Sequence, residues 1–178
     1  QGYRLQPDGL ARYDMTLVRK ATEAYEKSVH YQPRPVSYGN LGWMYFLLGD
    51  FRRAEEFSRR ALDMDASLEY VRLNLGLTYL MENKVYDAFE VYRTVIRRNP
   101  PDDVYMGGIN DLREVVRDNP GRHPFAYLMI GLLAVKRGDY TEARDALNRF
   151  NANPLVGQEW RGMAQRLLRD MSAAEVER

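Results

Sequence analysis

The chain contains no cysteine, which excludes disulfides, thiolate metal sites and a cysteine nucleophile. No run approaches the roughly 18 apolar residues that a membrane-spanning helix requires. Histidine is nearly absent: His30 and His123 each stand beside a predicted helix end, away from any acidic cluster, so neither reads as a catalytic base or a metal ligand. An excess of one charge is missing too. The formal net charge is +1 with both signs interspersed, which leaves no field to steer nucleic acid. Lysine is scarce, at 4 against 22 arginines. Guanidinium groups suit carboxylate and phosphate recognition, but the base composition of the genome accounts for the bias more simply. Residue 1 is Gln rather than Met and no signal segment opens the chain, so a processed product or a piece of something longer is expected, and the compartment stays open.

What is present is apolar content at 45%, enough for a packed domain of this length, and a pattern that returns at a fixed offset. Asn40-Leu41-Gly42 and Tyr45 recur 34 positions later as Asn74-Leu75-Gly76 and Tyr79, and Ala54 recurs as Ala88. A third copy, Ile130-Gly131 with Ala143, follows 55 positions further on. A period of about 34 residues is the mark of a helical-hairpin solenoid. Breakers punctuate the chain at matching intervals: Pro33, Pro35, Gly49-Asp50, Asn83, Pro100-Pro101, Asn119-Pro120-Gly121, Gly138-Asp139 and Pro154. Between them apolar residues fall three and four apart, as amphipathic helices require. Alternation with a period of two is absent, so the class is all-α. Gly49 and Gly138 are placed to end helices in the left-handed conformation, and Asp50 and Asp139 to cap the helices that follow.

These landmarks make the chain resemble the tetratricopeptide repeat family. The resemblance rests on Tyr38, Asn40, Leu41, Gly42, Tyr45, Gly49, Asp50, Phe51, Ala54, Phe57, Ala61 and Leu62 in one unit. It continues with Asn74, Leu75, Gly76, Tyr79, Ala88, Tyr92 and Pro100, then Tyr127, Ile130, Gly131, Gly138, Asp139, Tyr140, Ala143 and Leu147. It implies one right-handed α-solenoid domain over 1–178, with full units at 35–68, 69–102 and 124–157 and a partial unit at 1–34. A shortened unit at 103–123, read as a single helix from Val104 to Asp118, breaks the period, and a C-terminal capping helix at 155–171 ends the array before a frayed tail.

The resemblance also implies a non-catalytic protein-interaction module whose concave groove is lined by the first helix of each unit. The candidate partner-binding residues are Asn40, Trp43, Phe46, Leu47, Tyr70, Asn74, Leu77, Leu80, Met81, Phe125 and Leu132. So apolar a lining points to an apolar or amphipathic segment of a partner protein, with Asn40 and Asn74 bonding its backbone. In the competing reading the groove is filled from within, by the helix at 104–118, by the tail after Leu155 or by a second copy, and the chain is a self-associating scaffold or homo-oligomer. The clamp with which some relatives hold acidic chaperone tails is missing, since Gly39, Trp43, Phe125 and Met129 stand in its places. Gly107-Gly108 lacks the context of a phosphate loop, and no constellation for catalysis, cofactor or metal stands out. No enzyme activity, cofactor, nucleic-acid partner or membrane insertion is expected.

Overall fold

A computed structural model describes residues 3–5, 11–117 and 119–176. The residues divide into two compact units between Glu82 and Asn83, inside the second of the expected repeats.

Unit 1 opens with an antiparallel ribbon of β1 (Tyr3–Leu5) and β2 (Ala11–Tyr13), with Tyr3 opposite Tyr13 and Leu5 opposite Ala11. Strands of three residues are too short to announce themselves by alternation, and a lone ribbon is marginal unless something packs on it. Four helices follow: α1 (Met15–Tyr31), α2 (Pro35–Leu47), α3 (Phe51–Met64) and α4 (Glu69–Met81). Their ends are set by local chemistry. The Asp14 carboxylate accepts from the Thr16 and Leu17 amides to start α1. Pro35 pre-sets the first turn of α2. Gly49, at φ +78°, reverses the chain, and Asp50 accepts from the Arg53 amide at 3.0 Å to start α3.

The helices of unit 1 meet around two apolar clusters. Leu41, Tyr45 and Ala54 are buried with Tyr25, Val29, Phe46 and Phe57 against them, and Tyr38, Ala61 and Val71 form the second cluster. The Phe57 ring stacks with both Tyr38 and Tyr45, at centroid distances of 6.1 and 5.4 Å. Close approach of α2 to α3 depends on Gly42, where a Cβ would stand 2.6 Å from Ser58 Oγ. A polar strut crosses three helices. The Tyr45 hydroxyl donates to Glu26 and accepts from Arg53 Nη1 at 2.9 Å, while Arg53 Nε donates to Asp50 at 2.6 Å. Burial, helped by Glu26, pushes the Tyr45 phenol up to about 12. The acidic and basic residues of α3 form a solvated face of helical-spacing pairs such as Arg59–Glu55.

Unit 2 contains α5 (Val85–Arg98), α6 (Asp102–Arg117), α7 (Pro124–Arg137), α8 (Tyr140–Ala152) and α9 (Gln158–Val176). The same punctuation recurs. Asn99 ends α5 in the left-handed region, Pro124 opens α7, Gly138 reverses the chain at φ +77°, and Asp139 caps α8 through the Glu142 amide. Helix α6 stands alone between two breakers and buries Tyr105, Ile109, Leu112 and Val116; its expected last residue, Asp118, lies outside the described residues. Helix α7 is buried almost all round, at Ala126, Tyr127, Leu128, Met129, Ile130, Gly131, Leu133 and Ala134. Helix α9 runs to Val176 rather than fraying after residue 170. Alanine at 173 and 174 favours continuation of the helix. The class is therefore all-α, a solenoid-type array of helical repeats with a small terminal ribbon.

Candidate functional site

On α2, Val36, Asn40, Trp43 and Leu47 follow one another by four, three and four residues, so they share one face of the helix. None of the four is buried, and Val36 is 49% exposed. On α4 the same spacing gives Tyr70, Asn74, Leu77 and Met81. Tyr70 is 38% exposed and Asn74 and Met81 are half-buried. The two stripes meet at their N-terminal ends: a Cβ at Gly39 would lie 2.5 Å from Val71 Cγ2 and 3.4 Å from the Tyr70 hydroxyl. Glycine at 39 thus lets α4 lie close enough for Tyr70 to reach the α2 stripe.

A third helix contributes. Asn40 Nδ2 donates to the Tyr25 hydroxyl at 3.2 Å, and burial, with Tyr25 and Asp65 nearby, holds the Tyr70 phenol above its usual range. Tyr25, Asn40 and Tyr70 therefore form a polar aromatic end to the face, beside the exposed Val36. At the other end Trp43 and Phe46 stack at 5.0 Å, nearly parallel, and Phe46 also touches Phe51 at 5.6 Å. Tyr13 of the terminal ribbon meets Trp43 edge-on at 6.2 Å. Asn74 is the freer asparagine: its backbone carbonyl accepts from Thr78, and its amide has no hydrogen-bond partner among the described residues.

The other expected positions fall elsewhere. Leu77 and Leu80 are core side chains, at 2% and 4% exposure, and present no surface to a partner. Phe125, on α7, is half-buried among rings of its own unit. Its ring lies 5.3 Å from Phe150 and 5.1 Å from Trp160 of α9, and Trp160 also meets Tyr86 and Phe89 of α5 at 5.0 and 5.3 Å. Leu132 is half-buried on the same helix. In unit 2, then, the chain's own last helix packs Trp160 against Phe125. Nothing in the sequence marks Tyr25 as the partner of Asn40, or Tyr13 as a neighbour of Trp43.

Among the described residues no group of three or more His, Asp or Glu side chains could hold a metal ion, and no helix is long and apolar enough to cross a membrane. His123 is held below its usual range by burial and by Arg122.

Helical hairpins stacked with repeated small-residue contacts define a scaffold for protein–protein interaction. Tetratricopeptide repeat models match residues 36–64 and 105–155, less than half of the chain taken together, and support reading its helical hairpins as repeats of that type. The human cilia- and flagella-associated protein 70 is 27% identical over 134 residues, which is 73% of this chain and 10% of that protein. The chain therefore spans only about a tenth of that relative. Among solved structures, MamA aligns at TM-score 0.46 and 21% identity over 75% of this chain and 86% of that one. The APC/C hetero-tetramer Cut9–Hcn1 aligns at 0.45 and 17% over 90% of this chain and 35% of that one.

Proposed function

We propose that the protein is a non-catalytic interaction module and that unit 1 takes an apolar or amphipathic segment of a partner protein on the face formed by α2 and α4. The observation that carries this reading is the pair of stripes at helical spacing: Val36, Asn40, Trp43 and Leu47 against Tyr70, Asn74 and Met81. Seven positions on two touching helices combine aromatic and aliphatic surface with amide groups and leave it in reach of solvent. Helices that serve only a core place such residues inward. Trp43 and Tyr70 supply the anchors that dominate interfaces of this kind, and Asn74 offers both a donor pair and an acceptor to a ligand backbone. Asn40 holds Tyr25 and so shapes the face rather than meeting the ligand first. No carboxylate stands among these positions, so recognition is apolar with hydrogen bonds and is insensitive to salt.

Selection of a displayed peptide library on the full chain tests this. Sequences with apolar residues three and four apart should be enriched, and Tyr70→Ala combined with Asn74→Ala should weaken their binding by at least tenfold, with the helical circular dichroism unchanged. Enriched peptides that bind the double variant as tightly as the wild type would move recognition to another surface.

A further inference from the structure

Helix α9 is attached to unit 2 by an aromatic anchor in its first turn, by the buried Ala164 and Met171, by an Arg144–Ser172 hydrogen bond at 3.4 Å and by a short linker. Trp160, in its first turn, fits among Tyr86 and Phe89 of α5 and Phe125 of α7, and Tyr86 also reaches Glu159 at 3.5 Å. Among the described side chains along the rest of the helix only Ala164 and Met171 are buried, while Met163, Leu167 and Leu168 are half-exposed. The linker from Asn153 to Gly157 contains Pro154 and the exposed Leu155. Its path is fixed by Arg161, which donates to the Val156 carbonyl at 2.9 Å and to the Asn153 carbonyl at 2.8 Å, by the Asn153 side-chain amide, which donates to the Gly121 carbonyl at 3.1 Å, and by the buried Val156 side chain. Everything else that holds α9 is a contact between the helix and the body of the unit, and a second copy of the chain offers the same body.

We propose that α9 is an exchangeable arm: it leaves its own unit and seats Trp160 between Tyr86, Phe89 and Phe125 of a second copy, giving a reciprocally swapped dimer. Exchange of an identical element remakes every contact except those of the hinge, which makes it a low-cost route to association, and short loops favour it. The occupant is specified by the site itself, since an amphipathic helix with a tryptophan in its first turn is what the face already holds. Arg161 is the latch, because its two bonds to the linker are lost when the chain straightens. This inference concerns unit 2 and does not rest on the reading of unit 1.

The absence of cysteine makes the test direct. Full-length chains carrying Tyr86→Cys or Glu159→Cys are mixed at high concentration, warmed, cooled and treated with a short bismaleimide. A chain carrying both substitutions serves as the control for closure within one copy. A covalent dimer from the mixed single variants is expected. Light scattering should show a dimer share that rises with concentration, rises several-fold further in Arg161→Ala, and falls in Trp160→Ala. Cross-linking confined to the doubly substituted chain, with wild type and Arg161→Ala monomeric at every concentration, would overturn the proposal. Should the doubly substituted chain fail to cross-link, the mass measurements decide alone by the same criterion.

Discussion

Two glycines inside helices should respond in opposite directions to the same methyl group. Gly42 lies in α2 where a Cβ would be 2.6 Å from Ser58 Oγ and 3.2 Å from both the Ala54 carbonyl oxygen and the Ser58 amide nitrogen. The last two are backbone atoms of α3 and cannot rotate away. Gly107 lies inside α6 with nothing within 4 Å of a Cβ and is exposed. Replacing glycine by alanine within a helix gains about 1 kcal/mol of helix propensity. At Gly107 nothing opposes that gain, so Gly107→Ala should stabilise by about 0.5–1 kcal/mol. At Gly42 the two helices must separate, and overpacking of this kind costs about 1–3 kcal/mol. The net effect of Gly42→Ala is therefore a loss of up to about 2 kcal/mol after the propensity gain is subtracted. Urea titrations followed by circular dichroism read both values, with tryptophan emission as a second probe because Trp43 lies in unit 1 and Trp160 in unit 2. A Gly42→Ala chain stabilised as much as Gly107→Ala would refute the argument that the recurrent glycine marks a helix–helix contact. A Gly107→Ala chain that loses about 1 kcal/mol or more would contradict the open environment of this position.

The remaining predictions concern carboxylates. Asp111 of α6 is pushed up to about 6, chiefly by burial and secondarily by Glu114. Its folded state holds the proton more tightly than the unfolded chain, so stability is highest with Asp111 protonated and falls as pH rises from the ordinary carboxylate range through 6. Asp111→Asn removes that cost. At pH 7.5 the variant should exceed wild type by about 2–3 kcal/mol, because each tenfold change in proton affinity between the folded and unfolded chain is worth about 1.36 kcal/mol. The two melting curves should converge near pH 3; a difference that persists unchanged at that pH would contradict the burial argument. Asp50, whose carboxylate is held below its usual range by the Arg53 amide first and the Arg53 side chain second, behaves in the opposite sense: its contribution is present at neutral pH and is lost as pH falls through its folded value. Asp50→Ala should cost about 1–2 kcal/mol at pH 7 and almost nothing in strong acid, as thermal melts across pH would show.

What could be read from the residues alone follows the range of the interaction involved. Gly49 with Asp50 and Gly138 with Asp139 announced two turns and two helix caps because left-handed glycine and a capping carboxylate act over three or four residues. The recurring Gly42 and Gly131 announced the hairpin contact because the constraint repeats with the unit; at Gly131 the close neighbour is Leu147. The stripe through Val36, Asn40, Trp43 and Leu47 was legible for the same reason, since helical spacing alone puts those residues on one face. Spacing cannot say what lies opposite a face. Leu77 occupies the α4 position equivalent to Trp43 on α2, yet Leu77 is core and Trp43 only half-buried. Phe125 looks like a groove residue until Trp160, 35 positions later, closes over it. The Asn40–Tyr25 bond likewise joins two helices whose sequences carry no mark of each other. An aromatic residue on the inner face of a repeat is therefore a recognition residue only if the chain leaves it uncovered. In this chain the α2 side of unit 1 leaves Val36 exposed and Trp43 half-buried beside Phe46 and Tyr13, while unit 2 has used its aromatic face to hold α9. The two faces therefore predict different partners: a foreign apolar segment for the first, and a helix identical to α9 for the second.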